Sequence, residues 1–532
     1  MDLRTAGPDV DADAEVCVIG AGAAGISVSR RLYRAGHSVC LLEAGRLDYD
    51  AETQSLNEGD NLGMPYYDLA EARLRFFGGT TNIWGGRCVP LEPIDFEHRP
   101  WVTMSGWPIA YDDLLPYYES AHRDLDLGDF VYDDRLWPAL AQRPPSLSPE
   151  LMITRFWRFD TVKERFNARR CRDLLEADRV RVLTSANVVH LQANAHASAL
   201  DQVRVRTLDG RSLTVRARCY VLACGGIENP RLLLAADDVE HAGIGNRHDL
   251  VGRYFMEHQH GRAGRVRTPE LFRLWNAFRK RRPRAGQPPV APALLPAPQL
   301  QAERGILNTA LTFKLQRDPS RGLLLNDRIY RRLKHQLPPD CSRRRLWHAY
   351  RDVRDALRGS VKPLLERARS WAGLRDLYVM VRAEQAPNPA SRVTLGGERD
   401  ALGVPKAALH WQLSRQDKET VAVLAETLDA ELTRLGLGTV EPADWLGADD
   451  PDWPVDSTVG KHPIAGYHHM GTTRMSDAPS RGVVDAQCRV HGYTNLYVAG
   501  SSVFPTGGWA NPTLTIIALA YRLADEIHRR LP

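Results

Sequence analysis

Lysine is nearly absent from this chain. Eight of its 70 basic residues are lysine and 62 are arginine, the skew that a GC-rich genome imposes on codon choice. Disulfide and metal signatures are missing too. Cys17, Cys40, Cys88, Cys171, Cys219, Cys224, Cys341 and Cys488 form neither a C-x-x-C pair nor a C-x-x-C-H haem site. This excludes a fused c-type cytochrome as electron acceptor and leaves a reduced protein without a structural metal as the expectation. No run approaches the roughly 18 apolar residues of a membrane span. The opening MDLRTAGPDVDADAEV is acidic and has no apolar h-region, so no secretory signal is expected and a cytoplasmic location is. Seventy basic against 65 acidic residues leave a net +5, which by itself argues for neither a nucleic-acid nor a membrane partner. At 532 residues the chain is too long for one core, and hydrophobic residues at 43% make it globular rather than disordered.

Against these absences stands a clear βαβ unit. EVCVIG, AGAAG, ISVSRRLYRAG and HSVCLLEAG read as strand, glycine turn, helix and second strand. Gly20, Gly22 and Gly25 have the G-x-G-x-x-G spacing: the first permits a tight turn, the second lets a pyrophosphate approach the backbone, and the third lets helix and strand pack closely. A diphosphate would sit on the free N–H groups of Ala23, Ala24 and Gly25, where the helix dipole favours negative charge. Glu43, at the end of the second strand, stands where a carboxylate meets ribose hydroxyls.

Farther along, VRVRTLDG and RSLTVRARCYVLACGG alternate around an Asp209-Gly210 hairpin signal, and Ala223, Cys224 and Gly225 lead into a second strand-to-helix junction. The stretch RKRRPRAGQPPVAPALLPAPQ (279–299) is basic and proline-rich and is expected to form no regular core element. Helices are expected over 343–358 and 362–372, the first with an apolar stripe of Leu346, Tyr350, Val353 and Leu357 and a stop at Gly359. Fold class is expected to be α/β: a doubly wound, Rossmann-like, two-dinucleotide-binding domain with an α+β substrate domain of mixed sheet covered by helices. The expected parts are 1–125, 179–260 and 456–532 for the dinucleotide domain, 126–178 as a connecting segment on the substrate side, and 261–455 as the substrate domain.

FGGTTNIWGGRC (77–88), SGWPIAYDDLLPYYESA (105–121), YVLACGGIENPRLLL (220–234), YHHMGTTRM and ANPTLTIIALA together resemble the glucose–methanol–choline (GMC) oxidoreductases, with the C-terminal motif similar to the pyranose-oxidase and fructose-dehydrogenase side of that family. The resemblance runs from the glycine turn to the last helix and is interrupted across 261–380. It implies FAD and oxidation of an alcohol by hydride transfer to the flavin. That chemistry needs a base beside the hydroxyl and a polar group to hold its oxygen. The resemblance places His468 as the base and Asn511 as the second catalytic residue. His469 replaces the family's usual proline and is either the true base or a further substrate contact. Cofactor contacts are expected from Gly78, Gly79, Thr80, Thr81, Asn82, Trp84, Gly85 and Gly86, from Val188 and Val189, from Gly500 and Ser501, and from Asn511, Pro512 and Thr513. Glu257, His258 and His260 of FMEHQH lack a third ligand cluster for a metal; one of them is expected to line the entrance or touch the substrate.

The substrate class implied is a polyol, sugar or aminosugar, similar to those of the flavin dehydrogenases of aminoglycoside biosynthesis. A sterol oxidase of the same fold is the alternative, and a flavoprotein binding nucleic acid through its arginines is a remote one, since no aromatic platform or recognised module accompanies them. The electron acceptor is either O2 or a separate redox partner. The modest net charge hides an asymmetry: residues 261–380 hold 27 Lys and Arg against 9 Asp and Glu, a local +18, so the rest carries −13. An acidic body would steer a cationic aminosugar inward. Some family members attach FAD through a histidine in the GGTTNIWGG loop, where this chain has Ile83. Precipitating the holoenzyme with acid is therefore expected to release all yellow colour into the supernatant; flavin remaining on the pellet would overturn non-covalent binding.

Overall fold

A computed structural model describes residues 1–7, 10, 12–142, 144–162, 164–316, 329–330, 332–333, 338–372, 375–459 and 462–531; part of the basic 261–380 segment lies outside the described residues. The apolar run of the first motif becomes the strand Ala14–Ile19, buried between two neighbours. It is the centre of a five-stranded parallel sheet in the order Leu496–Val498, Ala217–Leu222, Ala14–Ile19, Val39–Leu42 and Val180–Leu183. Strands covered on both faces need continuous rather than alternating apolar sequence, which VCVI, VCLL and CYVL supply. Cys17 and Cys40 pair in register in this sheet, and Cys219 is buried beside them as a small core residue. The helices Ala23–Arg34 and Thr513–Arg530 lie against each other, joined by the Arg31 guanidinium on the Asp525 carboxylate at 2.5 and 2.7 Å.

A second, seven-stranded sheet draws on widely separated segments, in the order Thr439–Pro442, His260–Arg267, Asp376–Arg382, Ala310–Gln316, Val290–Pro296, Met152–Phe159 and Arg87–Cys88. All its pairings are antiparallel. Alternation divides its side chains between two cores: Ala293 and Leu295 join the core of the parallel sheet, while Leu294, Leu311, Val379 and Val381 join a core closed by the helix Arg415–Arg434. That helix starts at a Ser414–Asp417 capping box and buries Val421, Leu424, Leu428 and Leu432 at the three- and four-residue spacing of one helical face.

Two expectations fail here. Within 279–299 the chain forms a regular strand after all: Val290–Pro296 is wholly buried and pairs with Met152–Phe159 over seven residues. Proline lacks the N–H that a ladder needs, and toward Ala310–Gln316 the strand is registered at one pair alone, Leu294 with Leu311. A strand bonded fully on one side tolerates Pro292 and Pro296. Helices do form over Cys341–Ser360 and Lys362–Trp371, the first continuing through Gly359. The apolar stripe, however, points outward, with Leu346, Val353 and Leu357 all at least half exposed. Polar contacts hold the opposite face to the body instead: the Arg344 guanidinium pairs with Asp48 and Glu164, and His348 Nε2 also meets Glu164. Among the described residues no helix is long and apolar enough to cross a membrane.

The turn at the edge of the parallel sheet is the tightest packing constraint. A Cβ on Gly25 would lie 1.9 Å from the Gly20 carbonyl oxygen, so any side chain there separates the helix from its strand. Gly25→Val is expected to purify without FAD and to melt several degrees lower; a yellow protein with unchanged Tm would contradict this reading.

Candidate active site

The glycine turn leaves room where a diphosphate needs it. A Cβ at Gly22 would meet nothing within 4 Å, and Gly22 caps the helix Ala23–Arg34 without any side-chain bond to its N–H groups. Gly225, at the start of the helix Gly225–Ala235, and Gly500, after the strand Leu496–Val498, have positive φ and equally open surroundings. A Cβ on Gly79 of the second loop would lie 3.6 Å from the Gly22 Cα. This backbone cradle fits a dinucleotide. Glu43 is buried and already accepts the Ala21 N–H at 2.9 Å and the Gly45 N–H at 2.8 Å, leaving its remaining lone pairs for ribose hydroxyls. Burial raises its pKa.

Some of the expected cofactor contacts are spent on the protein itself. Asn82 donates to the carbonyls of Phe77 and Gly79, both at 3.0 Å, Thr80 Oγ1 accepts the Leu74 N–H, and Thr81 Oγ1 donates to the Gly78 carbonyl. These bonds fix the shape of the loop. Trp84 is half-buried, Gly85 exposed, and the Gly86 carbonyl bonds the Asp160 N–H. Val188 and Val189 are half-buried on the strand Asn187–Ala193. The Cys224 N–H donates to Asn229, and Ser501 donates to the His469 carbonyl at 2.7 Å, which ties the cofactor side to the histidine motif. Pro512 caps the helix Thr513–Arg530.

His468 and Asn511 meet: Asn511 Nδ2 donates to His468 Nε2 at 3.1 Å. The other ring nitrogen, Nδ1, lies 2.7 Å from Nδ1 of His258, whose Nε2 is 2.7 Å from the Gly508 carbonyl oxygen. A carbonyl only accepts, so His258 Nε2 carries a proton and its neutral Nδ1 a lone pair. His468 Nδ1 must then donate, and its Nε2 is left as the basic nitrogen facing Asn511. Burial, with His258, His260 and Arg382 nearby, holds His468 well below the usual 6.5, while burial brings His258 down to about 4. A Cβ on Gly466 would strike the His468 ring at 2.6 Å, so that glycine makes room for the base.

His469 lies elsewhere. Tyr66 donates its hydroxyl proton to Glu257 at 2.8 Å, so His469 Nε2, 2.9 Å away, must be the donor to the Tyr66 oxygen. It belongs to the Tyr66–Glu257 network, whereas Asn511 meets His468. Glu257, His258 and His260 are all buried. Glu257 accepts the N–H groups of His258, Gly466 and His468 besides the Tyr66 hydroxyl, and burial raises its pKa to about 7. His260 Nδ1 donates to the His462 carbonyl and its Nε2 accepts from Arg382, both at 2.7 Å. Among the described residues no three His, Cys, Asp or Glu side chains gather as a metal would require.

Beneath Gly508 lies a fully buried ion pair that sequence inspection missed. Arg99 grips Glu384 with two bonds of 2.8 and 2.6 Å at 1% and 0% exposure. Glu384 also accepts the N–H groups of Asn308 and Gly508. Asn308 in turn bonds Asp95, which burial beside Glu384 raises to about 7. The Gly507-Gly508 pair just before the Asn511 motif was the visible signal: a Cβ on Gly508 would sit 2.5 Å from the Asp95 carboxylate.

The glycine cradle on a parallel sheet, with a neutral histidine and an amide beside it, defines an FAD-dependent oxidoreductase acting on alcohols, and comparison with known proteins agrees. Residues 15–246 match the family model for FAD dependent oxidoreductases and residues 387–520 that for GMC oxidoreductases. Over residues 387–520 the chain is thus similar to the GMC oxidoreductases. The chain is 25% identical to 2-methyl-1,2-propanediol dehydrogenase of Mycolicibacterium austroafricanum, with 97% of this chain and 95% of that protein aligned. It is 26% identical to 6'''-hydroxyparomomycin C oxidase of Streptomyces lividus, over 97% and 92%. The large subunit of fructose dehydrogenase from Gluconobacter japonicus is 22% identical over 97% of each. Pyridoxine 4-oxidase from Mesorbium loti shares the fold at TM-score 0.54 and 16% identity, over 97% of this chain and 99% of that one.

Two outcomes follow from this geometry. Arg99→Met leaves the Glu384 charge buried without its partner and should cost about 3–5 kcal/mol of stability by chemical denaturation; a loss under 1 kcal/mol would show the pair to be dispensable. Only the neutral imidazole is a base, and His468 is held below the ordinary histidine value. The acid limb of kcat/KM should therefore fall below pH 6.5, and a limb centred at or above 6.5 would contradict the assignment.

Proposed function

We propose that this enzyme oxidises an alcohol group of a polyhydroxylated, sugar-like substrate, with His468 as the base. The observation that carries the reading is that His468 Nε2 bears the lone pair and accepts the Asn511 amide at 3.1 Å, a contact that a substrate hydroxyl placed between the two would replace. FAD, when bound, supplies the hydride acceptor. His468 Nε2 takes the hydroxyl proton, and the Asn511 N–H holds the oxygen as negative charge grows on it. The resulting imidazolium then donates to the same oxygen. Gly22, Ala23 and Ala24 would hold the diphosphate, with Glu43 at the ribose.

Relatives named for a diol, an aminoglycoside and fructose support a polyol. The polar neighbours of His468 favour that class over the sterol alternative. Aminosugars are the finer version of the expectation; O2 and a separate redox partner both stay open as the acceptor. Bleaching of the flavin under argon by a panel of polyols, sugars, aminosugars and sterols tests the reading, and reoxidation by air or by a dye identifies the acceptor. His468→Ala should retain its flavin yet bleach about 10²–10⁴-fold more slowly. Near-normal bleaching in that variant, or no bleaching of the wild-type protein by any alcohol, would overturn the reading.

A further inference from the structure

Two buried indole donors lack a partner in this structure. Trp157 and Trp509 are each 1% exposed, their ring centroids are 5.0 Å apart, and neither indole N–H has an acceptor. The Arg382 guanidinium lies 6.0 Å from the Trp157 ring and opposite His260 in the antiparallel register of their strands. It donates one bond to His260 Nε2 and, among the described residues, forms no ion pair with a carboxylate. Burial and the neighbouring Arg87 both press against its charge.

These donors are continuous with the catalytic pair. Trp509 follows Gly508, whose carbonyl orders the histidines, and Asn511 comes two residues later. His260 stands two residues beyond His258 on the same segment, and Arg382 depresses the pKa values of both His468 and His260. Among the described residues, the two buried carboxylates next to the histidine pair are already occupied. Glu257 already receives four donors, and Glu384 receives Arg99, Asn308 and Gly508. A half-buried guanidinium without a carboxylate partner among the described residues is costly, and a ligand oxyanion removes that cost while matching its planar fork.

We propose that Arg382, with the indole N–H groups of Trp157 and Trp509, forms an oxyanion subsite beside His468, so that the substrate is an alcohol that also carries a carboxylate or phosphate. The proposal rests on the alcohol-oxidase reading and replaces its aminosugar version with an anionic one. Attraction of an aminosugar by the acidic body acts at long range and is screened, whereas this group would act at contact.

Flavin bleaching under argon by sorbitol, gluconate, glucose 6-phosphate and glucosamine tests the proposal, the two anions separating carboxylate from phosphate. One of the anions should show an apparent Kd at least tenfold below that of sorbitol, and Arg382→Gln should abolish that preference. The Arg-for-Lys replacement Arg382→Lys keeps charge without the fork and should retain only part of it. Equal affinity for sorbitol and both anions, or preference for glucosamine, would overturn the subsite while leaving the alcohol-oxidase reading intact. A turnover-independent arm titrates acetate and inorganic phosphate into the holoenzyme against chloride at equal ionic strength, reading flavin absorbance. A saturable change from either ion that Arg382→Gln weakens about 10–100-fold supports the subsite. No saturable change from either ion, or one that Arg382→Gln leaves intact, refutes it. Should Arg382→Gln not fold, the wild-type comparison and Arg382→Lys decide.

Discussion

The Gly508 carbonyl oxygen can accept a hydrogen bond but never give one, and the chemistry of this site follows from that asymmetry. By taking the proton of His258 Nε2 it leaves a lone pair on the opposite nitrogen, which fixes the proton of His468 in turn and frees the nitrogen beside Asn511. The carbonyl keeps its place because the Gly508 N–H is bonded to Glu384, and Glu384 is locked by Arg99. A surface ion pair would be too weak and too mobile for such a task. One removed from water is rigid, since leaving either partner alone is expensive.

How much of this was legible in the sequence depends on the range of the interaction. The glycine turn was readable because its constraints are local: Gly20, Gly22 and Gly25 and the strand apolarity all lie within about 25 residues. The helices over 341–371 were readable from periodicity, but not the face they turn outward, because docking through Arg344 and His348 relies on Glu164 and Asp48, far away in the chain. The proline-rich segment misled for a similar reason. Whether proline breaks a strand depends on which side is bonded, and only pairing with Met152–Phe159 decides that.

At the site, His468 and Asn511 could be found through a family motif, and the structure brings them together. The residues that give His468 its basic nitrogen could not be found so. His258 was visible as part of FMEHQH, but its role lies in a bond to a backbone oxygen 250 positions later, and a carbonyl has no signature in sequence. Arg382 was equally hidden among 62 arginines. What sets it apart is its place against His260 and the Trp157 ring, which only the fold reveals.

The same Gly508 bond also determines where a proton can travel. Once His468 has gained one at Nε2, the proton on its other nitrogen can hop to His258, but no farther, because the next group is an amide oxygen with no basicity to hold it. The pair of rings is a closed siding rather than a wire to solvent. A proton taken from the substrate therefore finds no onward relay through this pair of rings and stays at the site where the product forms.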